Sequence, residues 1–108
     1  MNSITSINNT DLVFKYFKAL EERGLGEWVD RAFPTAAVFR LIEEAAGATA
    51  EEVVERLVEV IAPNIHPEVA GEVVGHRGEG AVLVVARAVA LWYLQVAEEL
   101  GVVRVRRR

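Results

Sequence analysis

From Ala81 to Leu100 the chain runs for twenty residues with only four polar side chains other than its aromatics: Arg87, Gln95, Glu98 and Glu99. A helix that is apolar nearly all round has to be covered, by other helices of its own domain, by another polypeptide, or by lipid. Lipid is the weakest of the three. A span needs about 20 predominantly apolar residues, and Arg87 near the centre of this one would cost about 2.5 to 3.5 kcal/mol on an insertion scale. The apolar runs on either side of Arg87 are six and seven residues long and rich in alanine, so no membrane span is expected. Cover must come from protein, and the chain has 108 residues with which to build it. At 52% apolar and 26% charged residues, the composition suits a folded domain, not a disordered or fibrous chain.

Five shorter segments precede this one, and their patterns are helical. Val13, Phe14, Phe17 and Leu20 recur at spacings of three and four, which predicts a helix from about Thr10 to Arg23 with Asn9 or Thr10 as its N-cap and Gly24 as its stop. A short second helix is expected from Gly26 to Phe33, carrying Trp28 and Val29 and ending before Pro34. A third, from about Pro34 to Ala46, turns Val38, Leu41, Ile42 and Ala45 inward and leaves Arg40, Glu43 and Glu44 in water. Thr49 followed by Glu52 is a capping box, with Val53, Val54, Leu57, Val58 and Ile61 as the buried stripe behind it and Pro63 as its end. Pro67 opens a fifth segment that is expected to be short and irregular, because Gly71 and Gly75 each cost about 1 kcal/mol in a helix interior. The long apolar helix, Glu79 to Leu100, closes the bundle at Gly101. The fold expected is all-α, a compact bundle of five to six helices with a long hydrophobic C-terminal helix and a short basic tail. Residues 1–9 read as a flexible N-terminal segment, 10–101 as a single helical domain and 102–108 as the tail, either frayed or a short edge strand.

The segment Asp30-Arg31-Ala32-Phe33-Pro34-Thr35, followed by Leu41-Ile42, resembles the start of the bacterial effector-associated, death-like adaptor domains, and six helices in a chain of this length resemble that fold as well. The resemblance covers about a dozen positions and implies an interaction module. Beyond Gly47 the pattern departs from that family, so no functional residue is carried over.

Chemistry has few footholds here. There is no cysteine, which removes disulfides, thiolate metal sites and cysteine nucleophiles, and makes the cytoplasm the expected location. No basic segment followed by an apolar run, as in a secretory signal, stands at the start of the sequence. His66 and His76 are ten residues apart and lack both His-Glu-x-x-His spacing and neighbouring thiolates, so no metal and no cofactor are expected. His66 reads as a helix start before Pro67, and His76 as a residue near a helix C-terminus. Gly75-His76-Arg77-Gly78-Glu79-Gly80 looks like an anion-cradling loop, but it lacks the lysine and hydroxyl of a P-loop, and Glu79 puts negative charge where phosphate would lie. It reads instead as a turn whose glycines let the long helix approach its neighbours. Carboxylate pairs such as Glu43-Glu44 and Glu51-Glu52 lie on wet faces, away from the burial that tunes catalytic acids. No catalytic residue is assigned.

What remains points to association. A mean hydropathy of +0.21 is high for so short a chain, whose surface-to-volume ratio should force polar residues outward. Val85, Val89, Trp92, Tyr93 and Val96 on the last helix are the candidate interface. Arg87 is a candidate ion-pair or anion-holding residue, or else part of a thin wet stripe with Leu91, Gln95 and Glu98. The expected function is that of a small non-enzymatic helical protein acting through protein-protein association, with itself or with another protein as an adaptor or accessory subunit. A second reading is a nucleic-acid coat or packaging protein, because Arg104, Arg106, Arg107 and Arg108 place four of the 12 basic residues in the last five positions. If all four met phosphates, affinity would fall with salt at a log-log slope of about −3.6. A net charge of −4 sets the rest of the molecule against phosphate. A third reading is an anionic-ligand or enzymatic pocket around Arg87.

Overall fold

In the computed structural model the residues described are 2–32, 40–41, 43–44, 48–75 and 78–101, with side chains described outside 2–9 and 30–32. Among the described residues five helices have both ends defined: α1 Asn2–Glu22, α2 Gly26–Ala32, α3 Ala50–Ile61, α4 Pro67–Val74 and α5 Glu79–Glu99. A 3-10 turn, Ala62–Asn64, follows α3. No strand forms among the described residues, and the chain is the all-α bundle its periodicity predicts. Of the helix expected over Pro34 to Ala46, the described residues Arg40, Leu41, Glu43 and Glu44 are helical, with Leu41 half-buried and the three charges exposed; the rest lies outside the described residues.

The boundaries follow from local chemistry. α1 ends in a Schellman motif: the Leu25 N–H donates to the Leu20 carbonyl at 2.9 Å and the Gly24 N–H to that of Glu21 at 3.1 Å, with Gly24 at φ 73°, where glycine alone avoids a Cβ clash. At the start of α3 the Thr49 Oγ1 accepts from the Glu52 N–H at 3.3 Å, and the Glu52 carboxylate accepts from the Thr49 N–H at 3.1 Å. This is the reciprocal capping box the sequence predicts. Pro63 falls inside the 3-10 turn, where its missing N–H costs nothing.

Three local expectations need correction. α1 starts at Asn2 instead of near Thr10. Asn9 and Thr10 look like caps, but no glycine or proline precedes Gly24, and polar residues of moderate helix propensity do not stop a helix. The buried stripe of α1 is Val13, Tyr16 and Leu20. Phe17 is half-buried and Phe14 faces outward at 58% exposure, so Tyr16 takes the inward place expected of Phe14. The segment from Pro67 is also regular helix through Val74, because it is capped at both ends and buries Gly71 as well as Val69 and Ala70. Its glycines are located where their cost is smallest, one packed in the core and the other, Gly75, ending the helix at φ 94°.

α5 is the axis of the core. It packs against α1, α3 and α4, and it contributes Ala81, Val85, Ala86, Ala88, Val89, Ala90, Tyr93, Leu94 and Ala97 to one continuous apolar cluster with Leu57, Ile61, Val69 and the α1 stripe. Alanines on α5 let those helices approach closely, while valines and leucines from the neighbours fill the space between them.

Candidate functional site

Burial along α5 sorts its residues by direction. Val85 and Val89 have no exposed surface, and Tyr93 is buried beside them. These three lie inside the domain's own core, so they are removed from the candidate interface, which keeps Trp92 and Val96, both half-buried. Sequence alone missed the outward residues: Leu83 is 51% exposed, Val84 43% and Leu100 70%. The signal that could have found them is spacing. Leu83, Arg87, Leu91, Gln95 and Glu99 recur every four residues, a single ridge on a helix surface, and every one of them is exposed or half-buried. Val84, Ala88, Trp92, Val96 and Leu100 form the adjacent ridge, apolar throughout, in which Val84 and Leu100 are exposed, Trp92 and Val96 half-buried and Ala88 buried in the core.

Arg87 stands on the first ridge, exposed, and among the described residues no ion pair to it is formed. Of the wet stripe expected around it, Gln95 is exposed like Arg87, while Leu91 and Glu98 are half-buried. Val84 also borders a shallow groove between α1, α4 and α5, floored by Leu12, Val73 and Val74 with Asp11 and Lys15 on its rim.

The glycine turn before α5 is shaped by backbone conformation. Gly75 and Gly78 adopt φ 94° and 98°, and a Cβ on either would meet nothing within 4 Å. Close approach of the helix is therefore not what these glycines provide; left-handed backbone is. His76 and Arg77 lie outside the described residues, as do Arg104, Arg106, Arg107 and Arg108. The cleft beside this turn is lined by Arg23, Glu68 and Glu72, and its cation is engaged by Glu72.

His66 is structural. Its Nδ1 accepts from the Val69 N–H at 3.4 Å as the N-cap of α4, and its own N–H donates to the Tyr16 hydroxyl at 2.8 Å. Trp28 packs edge-on against the imidazole, with ring centroids 4.9 Å apart. Burial pushes the Tyr16 phenol above its ordinary value, against the smaller opposing effect of that N–H. Among the described residues no Asp, Glu, Lys, Arg or His is buried, and no three of His, Asp or Glu are grouped to hold a metal ion.

α5 is long and apolar enough to cross a membrane by length and composition, with a hydropathy of 1.7 over its most apolar stretch, half of which is buried against the rest of the chain. Core helices of this kind pass the same test. No family model, no curated protein and no solved structure matches the chain, and the resemblance of the segment from Asp30 to Ile42 to adaptor domains gains no support from them.

Proposed function

We propose that this is a small non-enzymatic helical protein that works by associating with another polypeptide, its own copy or a different chain, through the outward face of α5. The observation that carries this is the placement of Leu83 and Val84, half exposed on the long apolar helix α5. A contiguous apolar face on a small domain is a typical mark of an association surface. Supporting it is the distribution of charge. Every described acid, base and histidine is at least partly solvated, which gives no environment for tuning a catalytic proton donor or nucleophile.

Light scattering after gel filtration, combined with binding of an apolar fluorescent dye, tests the proposal at tens of micromolar protein. Either a mass above that of one chain, or dye binding that the double substitution Leu83→Glu, Val84→Glu abolishes, is the expected result. A strict monomer that binds no dye overturns it.

A further inference from the structure

Building on the association read above, we propose that the partner on α5 is a second copy of this chain, docked antiparallel about a two-fold axis near position 93, with Arg87 of each protomer facing the partner's Glu99. The inference comes from the order of groups along the outer ridge. Leu83, Arg87, Leu91, Gln95 and Glu99 present, from N-terminus to C-terminus, an exposed leucine, a cation, a half-buried leucine, an amide and an anion. Leu100 follows on the neighbouring ridge, the most exposed large apolar residue described.

A parallel copy would set Arg87 on Arg87 and Glu99 on Glu99. Reversing the copy about position 93 pairs each cation with an anion twice over, because Arg87 and Glu99 are equidistant from that point. The same reversal sets Leu91 beside the partner's Gln95. Such self-complementarity, where residue i meets j and j meets i, is what a two-fold interface requires. Helix geometry permits it: packing the four-residue ridges of two helices into each other's grooves aligns those ridges side by side at a crossing angle of about −50°. The groove available lies between the two outward ridges where Leu91, Trp92, Gln95 and Val96 line it, since Ala88 is buried in the core. The row on the other side of the outer ridge, with Ala86, Ala90 and Leu94, is already buried in the core. Arg87 and Glu99 lie about 18 Å apart along the axis at 1.5 Å per residue, so the two ion pairs bracket the apolar centre at Leu91 and Trp92.

Sedimentation equilibrium of the full chain at low salt is the test. The wild type is expected to dimerise, Arg87→Glu or Glu99→Arg to weaken the dimer at least tenfold by placing like charges opposite each other, and the double reversal in one chain to recover it to within about threefold. All three variants change exposed side chains, and circular dichroism confirms that they fold. Because the chain has no cysteine, a mixture of Leu91→Cys and Gln95→Cys chains should oxidise preferentially to the crossed disulfide dimer. A dimer indifferent to both charge reversals, or one cross-linked equally well within either cysteine variant alone, overturns the antiparallel register while leaving association itself intact. A monomeric wild type that still binds apolar dye overturns the second copy as partner and leaves a different polypeptide. Absence of both mass increase and dye binding removes the association reading as well.

Discussion

Tyr16 joins two parts of the chain that are fifty residues apart, and it does so with one atom. Its hydroxyl accepts the N–H of His66, the residue that caps α4, while its ring lies fully inside the core. Tyr16→Phe keeps the ring and removes the acceptor, leaving a partly buried backbone N–H without its partner, at a cost of about 1 to 3 kcal/mol. Urea unfolding of the two proteins measures this as a lower midpoint at unchanged slope. The pH dependence has a definite sign. Because burial raises the folded-state phenol above its ordinary value of 10.0, the folded state holds that proton more tightly than the unfolded state does. The resulting stabilisation is complete below pH 10, then declines as pH rises through the raised folded value, so Tyr16→Phe should unfold less steeply with alkali. Unequal unfolded midpoints with identical alkaline slopes would contradict that account. None of this was legible in sequence. Spacing marks both Phe14 and Tyr16 as near the inward stripe, and the choice between them depends on a partner contributed by a distant loop.

Helix ends were the most legible elements, because their signals are local. The capping box at Thr49 and the stop at Gly24 need no tertiary information, and each is found where the residues place it; Gly75, read as a cost inside the fifth helix, instead ends it. α1 shows the limit of such reasoning: its apparent caps at Asn9 and Thr10 lie within the helix, since a capping residue enables a helix start without compelling one. Two glycine substitutions separate conformational need from open space. Gly75 has φ 94° and nothing within 4 Å of a Cβ, so Gly75→Ala meets backbone strain without a side-chain clash and should destabilise by about 1 kcal/mol. Gly26, at the start of α2, has equal space and no positive φ. Gly26→Ala should therefore stabilise by about 0.4 to 1 kcal/mol, through a less disordered unfolded chain. Thermal melts of the two variants are expected to move in opposite directions, and a shift of the same sign would show that something other than φ governs these sites.

At the scale of the whole molecule, the bundle is organised around α5, and the radius of gyration of 13.6 Å is close to the roughly 13 Å expected of a compact chain this long. That α5 had to be enclosed was evident from composition; which of its sides faced inward was not. On a helix apolar on nearly every side the apolar residues carry no periodicity of their own, and only the four-residue spacing of Arg87, Gln95 and Glu99 marks the outward side, so apolar pattern alone does not separate Val85, Val89 and Tyr93 from Leu83 and Val84. The direction is set by what packs against it: α1, α3 and α4 take three sides, and the fourth is left to Leu83, Arg87 and Gln95. Two substitutions of the same kind on the same helix test that division. Val89→Asp places a carboxylate in a site with no exposed surface and, among the described residues, no buried cation to pair with it, a burial that costs several kcal/mol. A domain of this size has only about 5 to 15 kcal/mol of stability in total, so Val89→Asp should leave little or no cooperative thermal transition. Leu83→Glu, six residues earlier, puts its charge in water and should shift monomer stability by no more than about 0.5 kcal/mol, with its effect confined to association. Near-equal melting temperatures for the two variants, measured at a protein concentration low enough to hold both as monomers, would mean that α5 is rotated from the orientation described and that the outward ridge is part of the core.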